Sequence, residues 1–265
     1  MKEVQKQQEP GNMGQSLMRR VLGWVRRDRI PDQPHTGSGQ PLPADSPGGY
    51  AASVGGHWDE VGRNQFEYLK KEGLQPCHYI LDLPCGSFRV GRFLIDYLDE
   101  GRYYGADAAA DTVNAGIQEV LQPEGLLRKK PTTRVITLTP APLDLVQLFG
   151  RAFDYVWVHA LFDHIPPETV RQAVVDLAQV VAPGGRLYAT IFLNPHGPGF
   201  REPIIRPRHG RLEGAVVTHP DREYWHHTLD FFQDIVTAIP QFDLDACLFD
   251  YSHPLGLRLL RFCKR

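Results

Sequence analysis

The sequence predicts an α/β protein with an open, doubly wound sheet of seven mostly parallel strands and the last strand antiparallel. Two observations carry this. From Trp58 onward, apolar runs of strand length alternate with stretches whose apolar residues recur at helical spacing. That is the pattern of crossover units, which build a parallel sheet covered on both faces. The two final apolar runs are joined only by the turn residues SHPLG, about five residues by this reading. A parallel crossover needs roughly a dozen or more, so the last pair reads as an antiparallel hairpin.

The elements follow in order. WDEVGRNQFEYLKKEGL is a helix with Gly73 near its end, and HYILDL (78–83) is the first strand. FRVGRFLIDYLDE is a helix from Phe88, because Val90, Phe93, Leu94, Tyr97 and Leu98 share a face. RYYGAD (102–107) is the second strand, DTVNAGIQEVL a helix, TRVITLT (133–139) the third strand and FDYVWVHA (153–160) the fourth. In PPETVRQAVVDLAQVVAPGG, Pro167 suits a first turn, Glu168 complements the helix dipole and PGG ends the helix. RLYATIFL (186–193) is the fifth strand, and residues 194–222 read as an irregular insertion rich in Pro, Gly, His and Arg. TLDFFQDIVTAI is a helix with Thr228 as its N-cap, and FDLDACLFDY and LRLLRFC close the sheet.

Residues 1–56 differ from the rest. They hold an excess of Gln, Pro, Gly and Ser and read as a largely disordered tail, leaving 57–265 as the folded domain. Within the tail, a basic amphipathic helix at 15–30 is expected. Leu17, Val21 and Val25 fall on one face, among five arginines. Such a helix docks on its own domain, on a partner, or peripherally on an anionic membrane, and the residues leave these open.

Composition narrows the class. The chain has 265 residues, 42% of them hydrophobic, and a formal net charge of -2, so no broad basic footprint for nucleic acid is expected. No apolar run reaches the ~20 residues that span a bilayer. Arg19, Arg20, Arg26 and Arg27 interrupt any signal-peptide pattern. Cys77, Cys85, Cys247 and Cys263 form no CxxC and read as free thiols of a reducing, cytoplasmic compartment. His196, His209 and His219 lack metal-ligand spacing, so no metal site is expected.

In an open α/β sheet, ligands bind beyond the carboxyl ends of the strands, where the strand order reverses. The first strand ends at Asp82–Leu83 and turns on Gly86, which lets the backbone approach a ligand. Asp107 closes the second strand and suits the two hydroxyls of a ribose. The loop lacks the G-x-G-x-x-G that seats a pyrophosphate, which argues against a nicotinamide dinucleotide. Asp82 inside the loop suits a cationic amino-acid end instead. A ligand with a ribose and such an end is S-adenosylmethionine.

LDLPCGSFRVGRFL, YYGAD, FDYVWVHALFDHIP and APGGRLYATIF, in this order, resemble the successive motifs of class I S-adenosylmethionine-dependent methyltransferases. More narrowly, VGRNQFEYLKKEGLQPCHYILDLPCGSFRVGRFLIDYL resembles a bacterial group of small-molecule methyltransferases with a CGSxRxG loop. The resemblance covers roughly residues 57–265. It implies a Rossmann-like fold and methylation of an oxygen or nitrogen on a small-molecule, sugar or lipid-linked acceptor. By it, Asp82, Pro84, Cys85, Gly86 and Arg89 belong to the loop around the methionine end, and Asp107 and Ala108 to the ribose-binding strand end. His159 and Ala160 fall near the sulfonium, and Asp144 near the adenine. Tyr224, Trp225 and His227 fall in the wall of the acceptor pocket. His226 matches a histidine common in the group and suits proton removal from an acceptor hydroxyl. Pro84 and Phe88 stand where the family loop usually has glycines, which motivates a second reading. That reading is a non-catalytic, methyltransferase-like binding subunit using the tail and insertion for partners.

Each residue also has a plainer reading. Asp82 and Asp107 are taken as ligand contacts ahead of a helix cap and a turn residue. His159 stays open between cofactor contact and core histidine. His164 is read as structural, bonded to backbone, and Cys85 as a packing residue without a neighbouring base. The YWHHT segment either lines the acceptor or packs the helix after it. Arg201, Arg206, Arg208 and Arg211 of the insertion suit an anionic or sugar-phosphate acceptor, or form a solvated basic loop.

Overall fold

A computed structural model describes residues 58–207, 215–253 and 255–265. The tail with its helix at 15–30, and Arg208, His209 and Arg211, lie outside the described residues.

Helix α1 (Trp58–Lys71) leads into β1 (Ile80–Leu83), α2 (Gly91–Tyr97), β2 (Tyr103–Asp107) and α3 (Ala110–Gly116), which runs on as a wider turn through Leu121. Next come β3 (Thr132–Val135), α4 (Leu145–Phe149), β4 (Phe153–Val158), α5 (Pro167–Val180) and β5 (Val181–Leu193). The chain continues through β6 (Ile204–Pro207), β7 (Ala215–Thr218), the short β8 (His226–His227), α6 (Leu229–Thr237), β9 (Phe242–Leu248) and β10 (Arg258–Lys264). The sheet order is β3-β2-β1-β4-β5-β10-β9. The pairings from β3 through β5 are parallel, and β10 runs antiparallel to both β5 and β9. The order reverses between β1 and β4, so a crevice opens there at the carboxyl ends. Thus the expected seven-stranded, mostly parallel sheet with a reversed last strand is present, and β8 adds an eighth strand beside the tip of β5.

Both faces are covered. On one, Leu69 of α1, Leu94 of α2 and Leu121 belong to the same buried cluster as Trp157 and Tyr188. On the other, Phe232 of α6 lies 6.0 Å from Phe162 and 6.0 Å from Phe262 of β10. The register slips between Arg261 and Phe262, where two facing residues would otherwise keep strict alternation.

Several expectations need correction. Helix α2 starts at Gly91, not Phe88, because Phe88 takes φ 65° and turns its ring into the core, 0% exposed. Periodicity counted its burial correctly but not its backbone. Helix α5 ends at Val180, and the APGG stretch already belongs to β5. The insertion 194–222 is not irregular throughout. It contains the antiparallel pair β6–β7, in register from Ile204↔Thr218 to Pro207↔Ala215, each strand with one buried apolar residue. The connection 249–257 is longer than expected, but the final hairpin is antiparallel all the same.

No helix among the described residues is long and apolar enough to cross a membrane. The four cysteines are unpaired.

Candidate active site

The loop after β1 is fastened to β2. The Cys85 amide donates to the Ala106 carbonyl at 2.9 Å, and the Gly86 amide to the Asp107 carboxylate at 2.8 Å. The other Asp107 oxygen accepts the Ala109 amide at 2.8 Å, at the start of α3. Gly86 takes φ 52°, where a side chain is strained. Cys85 is buried with its sulfur against Gly105, and burial pushes its thiol well above the usual range. It packs, as expected.

Asp82 is 1% exposed, and its carboxylate accepts the Tyr103 hydroxyl at 2.7 Å. Register explains the pair: Asp82 lies opposite Gly105, and Tyr103, opposite Ile80, points to the same face. Burial pushes the Asp82 carboxyl up to about 7, with the Tyr103 hydrogen bond and the Arg89 charge opposing and Asp107 adding. Arg89, on the same loop, carries the compensating positive charge, and burial lowers its pKa. Above the loop, Gly62 of α1 presses on the Arg89 carbonyl.

His159 follows β4, whose Val158 is in register with Leu83, so His159 sits beside Pro84 at the switch point. Its ring is 6% exposed and stacks on Trp157 at 6.0 Å. His253, from the loop between β9 and β10, lies 5.1 Å away, and Tyr251 6.3 Å away. Neither ring nitrogen of His159 has a hydrogen-bond partner among the described residues. Burial, His253 and Arg89 all push this imidazole well below its usual range, so it is neutral. Ala160 takes φ 52°, and its amide donates to the Thr190 hydroxyl at 2.7 Å.

The sequence offered no reason to include Tyr103, Tyr251 and His253. Tyr103 was legible only as a strand residue, and SHPLG only as a turn. The one available signal was an aromatic and a histidine in DYSHP, beside the turn that returns to the sheet.

The YWHHT segment splits. Strand β8 pairs with Phe192 and Leu193 at the tip of β5, and the Trp225 amide donates to the Asp163 carbonyl at 2.8 Å. His226 places Nδ1 3.1 Å from the Thr218 hydroxyl and leaves Nε2 buried without a partner. His227 differs from its expected place: Nε2 donates to the Phe162 carbonyl at 2.8 Å, and the ring stacks on Phe231 at 5.1 Å, in the core. Tyr224 is exposed, edge-on to His164 at 5.0 Å. His164 meets the carboxylates of Glu223 and Asp163 and not only backbone, a correction to its expected bonding. Asp144 accepts the Gln147 amide at 2.8 Å as the N-cap of α4. Arg206 is largely turned inward, with Nη2 on the Leu193 carbonyl at 2.6 Å.

The arrangement fits S-adenosylmethionine on its own chemistry. Asp107 spends one lone pair of each oxygen on a backbone amide and keeps one on each. The neutral His159 has a donor and an acceptor unspent. Asp82 and Arg89 offer opposite charges to a zwitterionic amino-acid end. Among the described residues no group of three metal-ligating side chains could hold a metal ion.

Residues 81–187 match the family model of a methyltransferase domain. Among solved structures, the chain resembles magnesium protoporphyrin IX methyltransferase from Synechocystis PCC 6803 with bound SAM. Identity is 18%, over 97% of this chain and 100% of that one, with a TM-score of 0.52. It also resembles the CcbJ methyltransferase from Streptomyces caelestis, at 13% identity over 83% and 100%, TM-score 0.56. A third likeness is to an S-adenosylmethionine-dependent methyltransferase from Clostridium acetobutylicum ATCC 824, at 10% identity over 96% and 99%, TM-score 0.54. At such identities these likenesses speak to the fold, which is the Rossmann-like one. Residues 81–187 thus match a methyltransferase domain, and they lie on the Rossmann-like fold that this chain shares with those solved structures.

Proposed function

We propose that the protein methylates a small-molecule, sugar or lipid-linked acceptor at the carboxyl edge between β1, β2 and β4. The observation that carries this reading is the placement of Asp82 and Asp107 at neighbouring strand tips on either side of Gly86. S-adenosylmethionine, when bound, supplies an electrophilic methyl group, so the protein contributes alignment and exclusion of water. In this reading Asp107 and the Ala108 backbone take the ribose. The backbone of Pro84, Cys85 and Gly86 passes beneath the methionine end, whose ammonium meets Asp82 and whose carboxylate meets Arg89. His159 and Ala160 flank the sulfonium, and Tyr224 and Trp225 border the acceptor.

The acceptor is best served by a nucleophile that needs no strong base. His159 and His226 both lie at the edge, and burial holds both below the usual imidazole range, His226 at about 4. An imidazole that weak removes a hydroxyl proton poorly near neutral pH. A neutral amine, or an oxygen already ionised, fits better.

Calorimetry of the full chain with S-adenosylmethionine tests the reading. Saturable binding that weakens in Asp107→Ala is expected. Absence of heat at millimolar cofactor, from folded protein, would remove it.

A further inference from the structure

His226 ends a short buried chain of hydrogen bonds whose direction can be worked out. Arg206 Nε donates to the Thr218 hydroxyl at 3.0 Å. Arg206 holds its proton, so that end is fixed. The hydroxyl of Thr218, a residue with 0% exposure, has one proton to give and two acceptors in reach. His226 Nδ1 lies at 3.1 Å and the Ile204 carbonyl at 3.3 Å. The imidazole nitrogen is the nearer and the more basic. A hydroxyl that accepts from a cation is also polarised toward donating, so the bonds reinforce one another. With Nδ1 accepting, the ring proton of neutral His226 sits on Nε2, which is buried and has no partner among the described residues.

We propose that Arg206 and Thr218 are positioning residues that turn His226 Nε2–H into a donor for an anionic oxygen of the methyl acceptor. His226 then recognises the acceptor and does not deprotonate it. The assignment of the oxygen to the acceptor rests on the proposed transfer site; the tautomer does not.

Three observations support the placement. His226 is in register with Phe192 at the tip of β5, beside the loop that follows β4. The neighbouring Trp225 amide ties this strand to Asp163, a few residues beyond His159 and Ala160. The Arg206 guanidinium, 5.3 Å from the Phe192 ring, adds fixed positive charge behind the imidazole and suits an anion over a cation. Burial first, then the Arg206, His227 and His219 charges, lower the His226 pKa, with a hydrogen bond to the Thr218 backbone opposing them, and the ring is neutral at pH 7.

Long-range proton–nitrogen spectra of the full chain labelled with ¹⁵N-histidine at pH 7 decide the tautomer, with His226→Gln assigning the signals. A protonated Nε2 and a bare Nδ1 are expected, kept in Thr218→Ser and replaced by a mixture of tautomers in Thr218→Val. A protonated Nδ1 in the unsubstituted protein overturns the proposal, whether or not Thr218→Val folds. An unchanged pattern in folded Thr218→Val overturns the positioning role. The anion is probed with benzoate and neutral benzamide in the presence of S-adenosylhomocysteine, since Phe200 stands 6.5 Å from the His226 ring to meet an aromatic probe. A saturable shift of the Nε2 signal by benzoate alone is expected; equal shifts, or none, overturn the recognition of an anionic oxygen. A missing response to S-adenosylhomocysteine itself counts against the transfer site and leaves the tautomer result standing.

Discussion

The Asp107 carboxylate holds the Gly86 amide at 2.8 Å, and so one side chain at the end of β2 shapes the loop at the end of β1. Its second oxygen holds the Ala109 amide at the start of α3. Loop, strand tip and helix start are therefore set by one residue before any ligand arrives. Hydrogen bonds to an ionised acceptor contribute ~1.5–3 kcal/mol each.

Asp107→Asn keeps one acceptor and loses the charge. It is expected to lower S-adenosylmethionine affinity about tenfold, roughly 1.4 kcal/mol, and to lower stability as well. Calorimetry and urea unfolding read the two effects separately. Unchanged affinity would take Asp107 out of the ribose role.

Gly62→Ala is expected to destabilise the protein by ~1–3 kcal/mol. An added Cβ would stand 2.3 Å from the Arg89 carbonyl oxygen, backbone against backbone, so α1 must move off the loop. Cofactor affinity should fall together with the unfolding midpoint. A neutral effect on both would mean that α1 does not press on the loop.

His159→Phe is expected to split stability from binding. Two buried nitrogens without partners disappear, which should stabilise the protein by ~1–2 kcal/mol, while affinity for S-adenosylmethionine falls. Thermal unfolding with and without S-adenosylhomocysteine measures both. A variant less stable than the parent, or one that binds as tightly, would contradict the placement of His159 at the ligand.

Opposite pH slopes are expected from Asp82→Asn and His227→Gln. The Asp82 carboxyl, raised to about 7, contributes stability that is complete below its ordinary range, near ~pH 4, and lost as pH rises through 7. The His227 ring, lowered to about 4 by burial, contributes stability that is complete above ~pH 6.5 and lost as pH falls through 4. Relative to the parent, Asp82→Asn should therefore gain stability from pH 4 to pH 7, and His227→Gln from pH 7 to pH 4, each on the order of a few kcal/mol. Urea midpoints across that range check the signs, and a slope of the opposite sign in either variant would contradict the assignment for that residue.

Much of the fold was legible because burial leaves a period in the sequence. Strands at Ile80, Tyr103 and Phe153 and helices at Pro167 and Leu229 follow from apolar spacing, and the reversed final strand from a short connection. The β6–β7 pair was hidden, since two four-residue strands with one buried apolar residue each leave no period to read. Phe88 was misplaced because an aromatic at φ 65° is uncommon and looks, in sequence, like the first turn of a helix. At the site, Asp82, Gly86 and Asp107 lie in contiguous strand-end motifs and could be found. Tyr103 reaches Asp82, His253 reaches His159 and Thr218 reaches His226 only through register and the return of distant segments, which no local pattern encodes.

Every role assigned at the strand tips depends on where the cofactor lies. A crystal structure of the full chain with S-adenosylhomocysteine measures this directly. The prediction places the ribose hydroxyls within hydrogen-bond distance of Asp107 and the amino-acid end between Asp82 and Arg89, with His159 alongside. Density for the nucleoside away from the tips of β1 and β2, with the Asp82–Tyr103 and Asp107–Gly86 bonds facing no ligand, would contradict it.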